Sequence, residues 1–389
     1  MGQNKRGGGV RVYRADTVII GAGFAGLSTA YHLSKRGRKS VLVIEQDKKL
    51  GGHSSGRNAG MIRQAVEDPV LARLAIDGRK RLSREAGRWK GVSFRSNGSL
   101  LLAKKNGLGE LKKTAATLGK MGLGYRWLSR ERSASLVPIL KRADFETALF
   151  CPTDAFVEIR ALLHGFLGAL KKRGVPVIRG CRLSSIQKHR GGFLIKAGNK
   201  NIFAKQVVNA AGAWAGLVGK IAGAVPVPLV AYRRHLYETK AFGKSAGRWP
   251  FVWDVSRHFY FRPIRRGLLL SPCDKQPFKL RFGKRPGVAE SVDPRMKQNL
   301  MRKLKGFSKN LSQIKIGHGK AGLRTMAPDG RFVIGEDPKL KGFFWVAGLG
   351  GHGVTTSFSV GNLVADLIFG RKREKFLVEA LSPKRFFKR

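Results

Sequence analysis

Three glycines, one acid and a few arginines carry the clearest chemistry. Gly21, Gly23 and Gly26 form a G-x-G-x-x-G directly after a short apolar run at residues 16–20. At that spacing the first glycine permits a tight turn and the second lets the backbone approach a pyrophosphate. The third lets a helix pack closely on a strand. The helix start, with Phe24 and Ala25, then turns amide donors and a positive dipole end toward phosphate. Glu45, with Gln46 behind it, follows at roughly the ~20-residue spacing at which a carboxylate accepts ribose hydroxyls and repels a 2′-phosphate.

A guanidinium fork matches two carboxylate oxygens, but in a chain with 76 Lys and Arg only the motif around an arginine marks it as a candidate. Arg324 stands in GLRTMAPDG, just before a Pro-Asp-Gly turn that fixes its position. Arg233 and Arg234 are adjacent on an expected strand, so their side chains point to opposite faces and one alone enters a pocket. In RHFYFRP the same alternation puts His258, Tyr260 and Arg262 on one face and Phe259 and Phe261 on the other.

These residues need elements to hold them. The pattern predicts a strand at 16–20, a helix over 25–36 stopped by Gly37, and a buried strand at 40–45. Helices are expected at 71–90, 107–121 and 162–173, and strands at 175–178, 193–196 and 202–208. The aromatic, alternating stretch 226–282 reads as antiparallel sheet, followed by a helix over 293–307. A last strand, a glycine loop and a helix over about 354–369 close the chain. Nucleotide signals lie at both ends and in the middle, so the domains interleave. The expected division is a dinucleotide domain from 15–95, 150–225 and 325–389, a substrate domain from 96–149 and 226–324, and a flexible basic leader at 1–14.

Three further segments decide which dinucleotide: LGGHSSGRNAG (50–60), VVNAAGAWAG (207–216) and FWVAGLGGHGVTTSFSVGNLVADLI (344–368). With the glycine turn, and in this order, they resemble the D-amino acid oxidase superfamily of FAD enzymes. Within it the likeness is to the D-amino acid dehydrogenase and glycine oxidase branch, D-arginine dehydrogenase above all. It covers nearly the whole chain from Ala15 and extends to FYFRP, AGLRTMAPDG and the terminal LSPKR.

The resemblance implies an α/β fold of glutathione reductase type, with a Rossmann-like FAD domain interleaved with a mixed-sheet substrate domain. It implies FAD held without a covalent bond, although some members tether it through a histidine near His53. Gly21, Gly23 and Gly26 would hold the pyrophosphate and Glu45 the ribose. His53, Ser54, Ser55, Gly56 and Arg57 would run from pyrophosphate to ring, and Ala210, Ala211 and Gly212 would border the adenine. Gly350, Gly351, His352, Gly353 and Val354 would lie at the flavin pyrimidine edge, with His352 a polar loop residue or a base. Arg324, with Arg234 and Tyr260, would bind a substrate carboxylate. The reaction implied is oxidation of a D-amino acid by hydride transfer to flavin N5, giving a 2-oxo acid and ammonia, with oxygen or a quinone as acceptor.

The chain departs from D-arginine dehydrogenase at Met61 and Val66, where that enzyme has a pocket histidine and tyrosine. Ser99 stands where it has the acid that receives a cationic side chain. A neutral side chain, or even an acidic one, is therefore expected in place of arginine or lysine. Two other readings share the fold: a tRNA-modifying flavoprotein, and the FAD subunit of a hetero-oligomeric amine or imino acid dehydrogenase.

Composition bounds the partners. Lys+Arg is 76 against 24 Asp+Glu, a net charge of +52 dispersed along 389 residues. Such a surface attracts anionic membranes and polyanions, yet the chain holds no zinc finger, RNA-binding signature or basic heptad. Nucleic acid is thus the less favoured partner. Three widely spaced cysteines give no disulfide framework or metal spacing. The basic start lacks a secretory apolar stretch, and a cytoplasmic protein with peripheral access to the inner membrane face is expected.

Overall fold

A computed structural model describes residues 12–240, 247–280 and 291–387. The strand Val12–Ile20 runs parallel to both of its neighbours, Val41–Ile44 and Lys200–Asn209. Val18, Ile19 and Ile20 are buried. A strand covered on both faces reads as an apolar run instead of an alternation. This strand starts earlier than expected. Val12–Arg14, assigned above to a flexible leader, pair with Asn201–Phe203 in a backbone ladder that makes no demand on their side chains. Residues 1–11 of that leader lie outside the described residues.

Lys200–Asn209 organises the eight-stranded mixed sheet. Away from Val12–Ile20, its first half pairs with antiparallel Gly192–Ala197 and its last residues with parallel Phe343–Ala347. The end of the chain is thereby set beside its beginning. Three helices, Phe24–Lys35, Ile159–Lys172 and Ser357–Ile368, pack over this sheet around Phe24, Tyr31, Phe166 and Phe358, which meet edge-on or tilted. Each fully buried phenylalanine contributes about 1.5–3 kcal/mol. A Cβ at Gly361 would overlap Ser28, so the last helix lies directly on the first.

The second sheet has nine strands. Val230–Thr239 pairs antiparallel with Ile316–Met326, and Phe251–Asp254 runs parallel to Ser99–Ala103, which makes the sheet mixed. In Phe259–Ile264 the alternation holds. Phe259 and Phe261 are buried with Leu300 and Leu304 of the helix Pro294–Lys305, while Tyr260 belongs to a separate cluster with Ala59 and Leu236. A small sheet pairs Met61–Ile62 and Phe94–Arg95 with Ala155–Val157.

Helix bounds shift for local reasons. The helix expected at 71–90 spans Pro69–Glu85, because Asp68 caps it by accepting from the Leu71 amide at 2.9 Å and Pro69 occupies its first position. The last helix begins at Ser357, not 354, because residues 348–356 are still turning. The strand expected at 175–178 shortens to Val177–Ile178. The helix Ala215–Ala222 and the strand Leu183–His189 were not anticipated.

Candidate active site

Ile20, Ile44 and Asn209 end three parallel strands side by side, and the glycine turn leaves from the first of them. Gly21 has φ +105°, and a Cβ there would sit 2.5 Å from the Ala210 carbonyl oxygen. A Cβ on Gly23 would lie 2.9 Å from Ser55 Oγ, and one on Gly26 would overlap the Gly21 carbonyl. Ser55 Oγ also accepts from the Phe24 amide at 3.0 Å, which ties the 50–60 loop to the helix start. Glu45 accepts from the Ala22 amide at 2.8 Å and the Asp47 amide at 3.0 Å. Burial nevertheless pushes its carboxyl above the ordinary range.

Two cavities adjoin here, one of about 120 Å³ and one of about 820 Å³, and Gly23, Ser54, Ser55, Ala210 and Gly212 line both. The smaller is also lined by Gly21, Glu45, Gln46, His53 and Ala211. The larger takes in Phe24, Ala25, Arg57 and the loop from Gly350 to Val354, together with Arg234, Tyr260 and Arg324. Two of the expected contact residues line neither cavity. Gly26 packs on the turn, and Gly56 packs on Gly51 with no room for a Cβ. Arg57 donates from Nε to the Gly52 carbonyl at 2.6 Å and from Nη1 to that of Ala321 at 3.1 Å, and so anchors the loop to the second sheet. Ser54 Oγ bonds the Leu323 carbonyl of the same strand.

In the larger cavity, strand alternation separates the paired arginines. Arg233 donates to Gln276 at 3.1 Å, away from the cavity, while Arg234 lines it and donates to the Asp274 carbonyl at 2.7 Å. That carbonyl is itself held in place. Asp274 Oδ2 lies 2.7 Å from His235 Nδ1, and His235 Nε2 accepts from the Asp293 amide at 3.0 Å. The guanidinium of Arg324 lies against Gly351, where a Cβ would overlap it. Burial, then the charge of Arg234, lowers Arg324 to about 9, which still leaves it charged at neutral pH. Among the described residues neither Arg234 nor Arg324 forms an ion pair. Tyr260 is buried, its ring 4.9 Å from that of Trp253.

The family comparisons agree with this geometry. The profile of FAD dependent oxidoreductases (DAO) matches residues 16–367. The chain belongs to the DAO family. It is 27% identical over 377 residues to human mitochondrial sarcosine dehydrogenase, covering 93% of this chain and 40% of that protein. Glycine oxidase of Bacillus licheniformis is 25% identical over 385 residues, covering 96% and 98% respectively. The chain thus spans less than half of the mitochondrial relative. In fold it is similar to L-proline dehydrogenase of P. horikoshii, with TM-score 0.85, 24% identity and coverage of 97% and 98%.

FAD is the cofactor of the DAO family, and the residues present fit it. Close backbone approach at Gly21 and Gly23 forms a cradle that a Cβ would fill, and the helix above it carries no side-chain cap. Trp214 Nε1, buried beside the smaller cavity, has no partner among the described residues. The dinucleotide's adenosine end would suit the smaller cavity, where Glu45 would meet its ribose, and the isoalloxazine would suit the larger.

Three expectations are corrected or sharpened. Ser99 does not line the cavity. It is fully buried and donates to Asp154 Oδ2 at 2.7 Å, so it says nothing about the substrate side chain. Met61 and Val66 do line the cavity, but Arg262 does not and lies 5.1 Å over the Phe156 ring instead. The alternation that placed Arg262 with Tyr260 held, but the cavity ends before it. Arg63, Trp253 and Lys303 line the cavity and were missed. Arg63 lies two residues beyond Met61, a strand-like spacing that could have exposed it.

His352 lies in the cavity with its imidazole lowered to about 3 by burial, then by Arg63 and Arg324. It is therefore uncharged at neutral pH. His32, packed against Phe358, is lowered to about 3 chiefly by burial. Unfolding frees both to titrate near 6.5, so the unfolded chain binds more protons between 6.5 and about 3. Stability should fall as pH drops through that window. The thermal midpoint measured against pH should show the slope, and His32→Leu should flatten part of it. An unchanged slope in the variant would remove His32 from the account.

Proposed function

We propose that this chain oxidises the Cα–N bond of an amino acid, of D configuration where Cα is chiral, with electrons leaving to a quinone. The carrying observation is the guanidinium pair. Arg234 and Arg324 share a cavity with Tyr260 and have no carboxylate partner among the described residues. A substrate carboxylate supplies the missing charge. Two relatives are named for sarcosine and glycine, both of which carry one.

Bound FAD supplies the hydride acceptor. The chain's own contribution is orientation and electrostatics. The fork of Arg324 fixes two oxygens, the Tyr260 hydroxyl adds a hydrogen bond, and Asp274 holds Arg234 against drift. Alignment of this kind can supply up to ~7–11 kcal/mol of a barrier. Non-covalent retention of FAD is supported by His53, which lines the smaller cavity and not the larger, sits 2.9 Å from Asp47 and packs on Trp214. The D assignment rests on the motif likeness. The membrane quinone rests on the net charge of +52, which favours anionic lipid surfaces.

The test is an anaerobic panel. Purified yellow protein is mixed with D- and L-amino acids, glycine and N-methylglycine, and flavin absorbance is followed. Bleaching by D but not L enantiomers is expected, with faster reoxidation by a soluble quinone than by air. Acid precipitation should leave the flavin in the supernatant. A flavin that no amine bleaches would end this reading.

A further inference from the structure

One guanidinium in the larger cavity is left over. Arg63 lines it together with Arg234 and Arg324. Its Cζ lies 4.3 Å over the Trp253 ring, and Trp253 in turn stacks on Tyr260 with rings 4.9 Å apart. Arg63 is thus one indole away from the phenol assigned to the α-carboxylate. Its backbone amide donates to Thr355 Oγ1 at 3.0 Å, which fixes it beside the 350–356 turn.

The Arg63 charge is not neutralised locally. Nε is buried without a hydrogen-bond partner, and the side chain makes no ion pair among the described residues. The buried acid whose charge acts most on Arg63, Asp154, is already engaged. One oxygen accepts from the Gln64 amide at 2.7 Å and the other from Ser99 Oγ at 2.7 Å. Glu67 and Glu110 line the same cavity but are exposed and do not pair with Arg63. The Trp253 face offsets only part of the cost of a buried cation. A monocarboxylic amino acid uses the Arg324 clamp and leaves Arg63 bare.

We propose that Arg63 is a second anion clamp, and that the substrate is an amino or imino acid with two carboxylates, one on Arg324 and Arg234 and one on Arg63. The inference rests on the amino acid reading above and narrows it from any side chain to an acidic one. Trp253 holds the Arg63 guanidinium over its ring face, and a guanidinium fork matches a carboxylate in a bidentate pair.

Binding is tested apart from turnover. The flavin-loaded full chain is titrated with succinate, malonate, acetate and propionate, none of which carries an amine, and the flavin absorbance shift is read. Dicarboxylates should bind roughly 30-fold or more tightly than monocarboxylates, the yield of one added charge-assisted pair. Arg63→Met should collapse that ratio toward one, and Arg63→Lys should restore part of it. In turnover, aspartate, glutamate and iminodiacetate should bleach the flavin at lower concentration than alanine or glycine, with Arg63→Met reversing the order. A wild-type ratio near one overturns the proposal. So does an Arg63→Met variant that weakens both classes equally, which would make Arg63 a counter-ion of the flavin. If no amine bleaches the flavin, the amino acid reading fails, and the succinate titration still decides the role of Arg63.

Discussion

Arg324→Ala is expected to weaken substrate binding by about 2–5 kcal/mol, between roughly thirty-fold and several thousand-fold, the usual cost of removing one partner from a desolvated charge pair. The same change should raise the thermal midpoint of the substrate-free protein. In the fold, burial and Arg234 hold Arg324 at about 9, against 12.5 in the unfolded chain. Folding at neutral pH therefore carries a charge that the folded environment disfavours, and alanine removes it. The cost is constant below about 9 and fades as pH rises from there toward 12.5. Carboxylate affinity should weaken over that same rise, because the clamp loses its proton. Anaerobic flavin bleaching and a melting curve on one preparation read both effects. Unaltered bleaching together with a lower midpoint would take Arg324 out of the site and make it a structural residue. Gains in stability paired with loss of function are what a site pre-charged for its ligand should show.

Gly21→Ala should yield colourless protein. Its Cβ would stand 2.5 Å from the Ala210 carbonyl oxygen at φ +105°, so either the turn or the 210–212 segment must move, and both line the smaller cavity where the nucleotide would sit. Overpacking of this kind costs roughly 1–3 kcal/mol, occasionally more. Gly37→Ala is the control. Gly37 has φ +85°, but no atom lies within 4 Å of its would-be Cβ. That variant should keep its flavin and lose only the backbone preference of glycine, about 1–2 kcal/mol. Flavin content by absorbance ratio after gel filtration separates the two. Equal retention would mean that the turn does not meet the dinucleotide.

Much of the architecture was legible because its signals are local. The glycine turn, Glu45 ending its strand, the alternation in RHFYFRP and the helix over Ile159–Lys172 each depend on residues only a few positions apart. The opposite facing of Arg233 and Arg234 was legible for the same reason, since a strand alternates whatever its neighbours are. Terminal bounds were less so. Asp68 started its helix early, and the leader's last residues joined a ladder whose partner lies far along the chain.

Side chains whose role depends on distant segments were not legible. Ser99, aligned with a specificity position, bonds Asp154 inside the sheet, 55 residues away, and never reaches the cavity. Arg63 carries no motif. It becomes conspicuous only because Trp253 lies beneath it and no acid among the described residues pairs with it, and both facts come from packing among elements far apart in the chain. Periodicity and glycine spacing were enough to specify a dinucleotide-binding α/β chain, because backbone geometry depends on nearest neighbours, whereas the substrate arginines were marked by the family resemblance of the motifs around them. Which charges are left unpaired in the finished cavity was settled by folding alone, because neutralisation depends on what other strands and loops bring within bonding distance.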